Sequence, residues 1–299
     1  MKNIYCYGMI SPSMVLSLAK GFPYPAPDKY AEIAETLESL GGEAANSAIV
    51  LARLGYHVVL YGCWIARARE AQVRGILQDR GVDTSALAIV ESGGTNEYVI
   101  ADTVSRTVFG NYASFHSGPR QWNRPSPELV KNADMVALDP YFRDDAEACA
   151  RICVEEGVPY VSLDAPHDSF IAQHAGSIVI SHELTDSRYP GENMERLFEA
   201  FCSSCRGLVI FTFGGRELWY AREGGPRKTF TPFKVETVDT TGAGDSFRGA
   251  LLHGLLSSWS DEETVRFASA VAALVCTTRP HALGAPTIPQ VEAFLAKNN

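Results

Sequence analysis

A chain of 299 residues, 46% hydrophobic and 20% charged, is long enough to bury one large core without disulfides. Its formal net charge of −9, with no cluster of Lys and Arg, excludes a nucleic-acid or anionic-membrane surface, and no apolar run approaches the ~18 residues that would span a bilayer. Seven scattered cysteines, an odd number, point to reduced thiols and a cytoplasmic setting.

In chain order, "MKNIYCYGMISPSMVLSLAKG" carries one lysine among broken apolar clusters and reads as a first strand rather than a signal peptide. The segment "DKYAEIAETLESLGG" is ambiguous: Ile33, Leu37 and Leu40 fit a helix, Ala31, Ile33 and Leu37 partly fit a strand, and residue spacing alone leans to helix. "HVVLY" is a strand. Between Thr95 and Tyr112, "TNEYVIADTVSRTVFGNY" reads as two strands joined by a polar turn, a small sheet or lid apart from the helix-rich part. Then "DMVAL", "VPYVSL", "SIVI" and "GLVIFTF" alternate with helix-length stretches such as "DDAEACARICVEEG" and "NMERLFEAFCSSC". Strands this continuously apolar are buried on both faces, and the alternation predicts a mostly parallel sheet covered by helices. Cys202 and Cys205 close a helix, whose C-terminus raises thiol pKa values, so "CSSC" reads as buried thiols rather than a redox or zinc pair. No internal repeat or low-complexity linker divides the chain.

Chemistry concentrates near the C-terminus in "VDTTGAGDSFRGALLHGLL". Phe247, Ala250, Leu251 and Leu255 recur at helical spacing, so Asp245 falls at or just inside a helix N-terminus, where N–H groups are unpaired and the dipole is positive. Gly242 and Gly244 let the backbone approach a ligand, and Asp245 is placed to take a proton from an attacking hydroxyl. Amides for a moving phosphoryl group and a carboxylate for its acceptor are what phosphoryl transfer requires. Four residues alone fit an ordinary glycine turn with an aspartate N-cap better than a phosphoryl-transfer site. A dinucleotide fingerprint is excluded by Phe247 at the third glycine position, and no Walker lysine loop occurs.

The full "DTTGAGD", Asp239 to Asp245, resembles the C-terminal signature of the ribokinase-like (PfkB) carbohydrate kinases, and "GGEAANSAIVLARLG", Gly41 to Gly55, resembles their N-terminal signature. Local motifs, "GGEAANS", "SRT" at Ser105 to Thr107 and "VISHEL" at Val179 to Leu184, are most similar to ketohexokinase-type members. The resemblance implies one α/β domain over residues 1–299, a ribokinase-like three-layer sandwich with a mostly parallel central sheet and a small β-sheet lid from about residues 10–20, 30–42 and 95–112. It thereby turns "AEIAETLESLGG" into a lid strand.

The same resemblance implies an ATP-dependent kinase acting on a hydroxyl, expected to be primary, of a sugar or sugar-like metabolite. Asp245 would be the general base, and the amides of Gly242, Ala243 and Gly244 the anion hole. Asn46 and the Gly41–Gly42 turn would hold the sugar, Arg106 would face the transferred phosphate, and Thr212 and Gly214 would lie beside the nucleotide. Taken singly, Asn46 is also an ordinary first-turn helix residue, Arg106 a solvated hairpin charge, and Asp164 in "SLDAP" a turn former. ATP and Mg2+ are the implied cofactors, a monovalent cation such as K+ is implied near Asp239–Gly244, and a homodimer through the lid is a further expectation.

Departures from the pattern mark where this chain is particular. Ser13 stands where many members carry a sugar-binding aspartate, a loss of roughly 1.5–3 kcal/mol for a charge-assisted hydrogen bond, which Glu43 or Asn111 is expected to replace. "SHELTD" lacks the usual Asn-x-x-Glu, leaving Glu183 first and Asp186 second to order magnesium through water; His167, His174 and His182 fit no compact ligand spacing. "GCWIARAREAQVRGIL" lacks the glycine and aspartate that many members have after the second strand. Two other readings stay open: a nucleoside kinase, if Phe109, Tyr112 or Phe115 stacks a base, and a non-catalytic sugar or nucleotide sensor.

Overall fold

Strands that are apolar without alternation must be covered on both sides, and the largest sheet is built from them. The computed structural model describes residues 1–102 and 106–298; Ser105 of the "SRT" motif lies outside these. Eight strands form the main sheet: β1 (Asn3–Gly8), β4 (His57–Gly62), β9 (Met135–Leu138), β10 (Tyr160–Leu163), β11 (Ser177–Ser181), β12 (Leu208–Thr212), β13 (Leu218–Ala221) and β14 (Lys228–Phe230). Their order is β14-β13-β12-β11-β10-β9-β1-β4. From β4 to β12 all neighbours are parallel, and only the β12–β13 and β13–β14 pairings, at the edge, are antiparallel. All four residues of β9 are buried.

Three helices carry the site. Helix Glu43–Arg53 packs on β1 and β4 and on helix Ala243–Leu256, which in turn packs against helix Asp261–Cys276. Ile49, Val50 and Leu51 of helix Glu43–Arg53 are fully buried, each worth roughly 1.5–3 kcal/mol of transfer free energy. Helix Asp261–Cys276 starts at a capping box, Ser260 with Glu263, which satisfies two otherwise unpaired N–H groups.

A second, four-stranded sheet has the order β3-β2-β7-β8, with β2 (Ser11–Leu18), β3 (Ile33–Gly41), β7 (Glu97–Ala101) and β8 (Arg106–Gly110). Residues 33–41 are thus a strand, antiparallel to β2, and the helical lean of their apolar spacing is overridden by pairing with an open strand edge. The register puts Ser13 opposite both Ser39 and Glu97, Ser11 opposite Gly41, and Ala101 opposite Arg106. Because side chains alternate, Ser11, Ser13, Ser17, Glu97 and Arg106 share one face, and Tyr98 and Phe109 the other. A parallel pair of two-residue strands, β5 (Ile65–Ala66) and β6 (Ile89–Val90), completes the sheets found among the described residues.

All seven cysteines are free thiols. Burial pushes Cys202 up to about 11 and Cys205 up to about 12, so neither thiol is poised for redox exchange.

Candidate active site

Helix Ala243–Leu256 begins at Gly242, whose φ of 67° is left-handed and therefore suits glycine. Upstream, Asp239 Oδ1 accepts from the Thr241 N–H at 2.9 Å and shapes the loop. The Ala243 N–H turns back to the Thr240 carbonyl across a long 3.3 Å, so of the three expected amides it is the one already partly engaged. Arg106 reaches across from β8 and donates to Thr240 Oγ1 at 3.0 Å. The two signatures meet at the first turn: Asn46 Nδ2 donates to Asp245 Oδ2 at 2.8 Å, although the residues are 199 apart in sequence. Asn46 Oδ1 is buried and accepts no hydrogen bond among the described residues. A methyl group on Gly242 would sit 3.0 Å from Asn46 Nδ2.

Below the carboxylate lies a buried ionic network. Ser47 Oγ donates to the Asp245 carbonyl at 3.0 Å and accepts from Arg248 Nε and Nη2 at 3.1 and 2.9 Å. Arg248 Nη2 also donates to the Glu43 carbonyl at 2.7 Å, and its Nη1 pairs with Asp139. Asp139 Oδ2 accepts the Met9 and Ala44 N–H groups at 2.7 and 3.0 Å. Arg248 is 1% exposed and Asp139 fully buried. Burial pushes the Asp139 carboxyl up, while the guanidinium and the two amides pull it back. A side chain on Gly8 would overlap the Asp139 carboxylate, which is why β1 ends in glycine. Sequence reading missed both partners, although an acid closing the apolar run "MVALD" and an arginine inside "DSFRGALL" were signals, since charges in apolar surroundings demand a partner.

On the acceptor side, Gly42 has φ 97°, and a Cβ there would overlap the Met9 carbonyl. Ser13 is 1% exposed, and its hydroxyl, like those of Ser11 and Ser17, makes no hydrogen bond among the described residues. Beside it stands a residue the sequence reading did not single out, Glu97, 8% exposed, whose Oε2 accepts the Tyr112 hydroxyl at 2.5 Å. Burial raises the Glu97 carboxyl, with the nearby Tyr112 and Ser13 hydroxyls and Arg106 opposing and Asp245 adding to the rise. Glu43 is half-buried, and burial followed by the Asp139 and Asp245 charges pushes its carboxyl well up. Asn111 is spent elsewhere: it accepts from the Asn96 N–H and donates to the Gly94 carbonyl, tying the hairpin base together. Phe115 is fully buried against Trp122 and Phe142, and Phe109 lies on the sheet's opposite face, 47% exposed.

Thr212 ends β12 and donates to the Ile180 carbonyl at 3.3 Å, and Gly214 follows in a left-handed turn with open space around it. A cavity of about 430 Å3 opens here, lined in part by His182, Thr185, Asp186, Phe213, Arg216 and Trp219. Glu183 does not point into it: its side chain is 73% exposed and pairs with His182 at 3.1 Å, whereas Asp186 is on the wall. Asp164, with φ 44°, accepts from the Ser181 N–H and hydroxyl at 2.7 and 2.9 Å. Burial raises its carboxyl, and Glu183 and Asp245 add to the effect. His167 stacks on Tyr189 and His174 on Phe170. Among the described residues no three His, Cys, Asp or Glu side chains converge on one point, and no helix is long and apolar enough to cross a membrane.

Known proteins resemble this chain in sequence and in fold. The family described as "pfkB family carbohydrate kinase" matches residues 1–288. The ATP-dependent ribose-1-phosphate kinase of Halopiger xanaduensis is 30% identical over 288 residues, covering 91% of this chain and 92% of its own. Arabidopsis thaliana ribokinase, solved with ribose and ATP, superposes with a TM-score of 0.81 at 20% identity, over 98% of each chain. An Escherichia coli Ribokinase II, solved with ATP and Mg2+, gives a TM-score of 0.81 at 17% identity, over 99% of this chain and 100% of its own. With its two signatures joined at one helix start and the family matched along nearly all its length, the chain belongs to the pfkB family of carbohydrate kinases.

Proposed function

We propose that this enzyme transfers the γ-phosphoryl group of ATP to a primary hydroxyl of a sugar, with Asp245 as general base. The observation that carries the reading is the bond from Asn46 to Asp245 at the N-terminus of helix Ala243–Leu256. It holds the carboxylate in the first turn of the helix, beside the backbone of Gly242 and Gly244, where unpaired amides and the positive end of the dipole suit an anion. As a hydroxyl attacks, Asp245 takes its proton, and Arg106, anchored on Thr240, neutralises charge on the moving group. Thr212, Gly214 and the adjoining cavity suit the nucleotide. Magnesium, when bound, would supply positive charge to offset that of the phosphates. The residues fit an ion held mainly by phosphate and water, with Asp186 on the cavity wall and Glu183 near Asp164 as outer partners. A monovalent cation such as K+ belongs to the same reading, at the Asp239–Gly244 loop.

The four-stranded sheet acts as a lid over the acceptor. Its outer face carries exposed Ile33, Tyr98 and Phe109, which supports pairing of two lids in a homodimer. Free thiols support a cytoplasmic setting. The nucleoside reading loses two of its three stacking candidates, Phe109 and Phe115, to the outer face and the core. An intact Asn46–Asp245 pair argues against a retired sensor. The test is ADP release from ATP·Mg2+ over ketoses, aldoses, sugar acids, amino-sugar conjugates and nucleosides, with Asp245→Asn beside wild type; turnover that survives in the variant refutes the assignment of the base.

A further inference from the structure

Ser13 gives the inner face of β2 a hydroxyl and no charge, yet a carboxylate is present one strand away. Glu97 stands opposite Ser13 in the parallel β2–β7 register, so both side chains project from the same face as Arg106, the face that meets the loop before Asp245. Its carboxylate lies against Gly41, where any side chain would overlap it, at the entrance of the turn that leads to Asn46. Oε2 is held by Tyr112, and Oε1 is the oxygen turned to Gly41. Among the described residues the buried Ser11 and Ser13 hydroxyls on the same face make no hydrogen bond, nor does Asn46 Oδ1 on the Asp245 side of the site. Unpaired polar atoms are costly in a folded protein, so hydroxyls of this kind on one face with a carboxylate mark a place that a polar ligand completes.

We propose that Glu97 is the acceptor-recognition carboxylate of this enzyme and that it selects neutral, hydroxyl-rich acceptors against anionic ones. The inference rests on the kinase reading above and adds the charge class of the acceptor. An ionised carboxylate accepts hydrogen bonds from sugar hydroxyls and is stronger in that role than a neutral group. It repels an acceptor that brings a carboxylate or phosphate to the same end, and Asp245 and Glu43 add to that repulsion. Arg106 does not reverse the balance, because its guanidinium is directed to Thr240 on the phosphoryl side.

The experiment measures kcat and KM by ADP release for neutral ketoses and aldoses and for sugar acids and sugar phosphates, with wild type and Glu97→Gln. Gln keeps the shape and still accepts from Tyr112. The expected result is turnover of a neutral acceptor by wild type, and a KM for it about 10- to 100-fold higher in Glu97→Gln with kcat nearly unchanged and anionic acceptors gaining relative to it. An anionic acceptor preferred by wild type overturns the proposal, and this arm needs no variant to fold. So does an unchanged KM in a Glu97→Gln protein that melts cooperatively. If neither class is phosphorylated, the kinase reading itself fails and takes the inference with it.

Discussion

Removing one member of the Asp139–Arg248 pair leaves a full charge inside the protein, because both side chains are sealed from water. For Arg248→Met, Asp139 keeps the Met9 and Ala44 amides but loses its cation; for Asp139→Asn, Arg248 keeps Ser47 and the Glu43 carbonyl but loses its anion. Breaking a buried pair on one side costs about 3–5 kcal/mol, which lowers Tm by on the order of 10 °C in a chain of this size. The double variant Asp139→Asn with Arg248→Met retains an oxygen for the two amides and no orphan charge, so it melts above at least one single variant. Scanning calorimetry on the four proteins closes the cycle and isolates the coupling. Activity measured well below Tm falls as well, since Ser47, freed from Arg248, no longer fixes the Asp245 backbone. Single variants melting within about 2 °C of wild type, or effects that simply add, refute the claim that the pair behaves as a unit.

Asp245→Asn lowers kcat by about 10²-fold or more with nucleotide affinity little changed, as followed by steady-state turnover and calorimetric ATP binding. Gly242→Ala combines a left-handed φ with a methyl 3.0 Å from Asn46 Nδ2; displacing that donor from Asp245 lowers kcat by roughly tenfold, and an unchanged kcat would show that the contact is idle. Burial raises Glu43 above its ordinary 4.5, so the folded chain holds that proton more tightly than the unfolded chain, and stability contributed at low pH is lost as pH rises past 4.5. Glu43→Gln therefore raises Tm at pH ~7.5, with a gain that shrinks towards pH ~5; a gain independent of pH contradicts the sign. Replacing K+ by choline tests the loop Asp239–Gly244 directly, with a drop in turnover expected and an unchanged rate counting against a bound cation.

How much of this was legible in the sequence depended on how local the cause was. Gly242, Asp245 and the apolar helix after them obey short-range rules, so the helix start and its carboxylate could be read directly. The buried strands were equally clear, because burial on both faces leaves an uninterrupted apolar run. Residues 33–41 misled the spacing argument, since an edge position on a one-sided sheet asks little of apolar period, and pairing with β2 decides the matter. Asn111 illustrates a different gap: a side chain able to bind sugar is consumed by the hairpin it belongs to, which no single segment reveals. Glu97 was hidden for the opposite reason. A lone acid in "TNEYVIA" looks like the solvated side of a hairpin, and only the register with Ser13 turns it inward.

The contact between Asn46 and Asp245, with the Ser47–Arg248 contact beneath it, spans about two-thirds of the chain. Synthesis proceeds from the N-terminus, and β1 is inserted between β4 and β9 long before helix Ala243–Leu256 exists. Until that helix arrives, the face of helix Glu43–Arg53 carrying Asn46, Ser47 and Val50 has nothing to cover it, and Asp139 waits without a cation. A nascent or truncated chain lacking its last quarter is therefore both catalytically silent and adhesive. The segment that completes the core is the one that delivers the base, so the protein acquires its reactivity and loses its stickiness in a single late step.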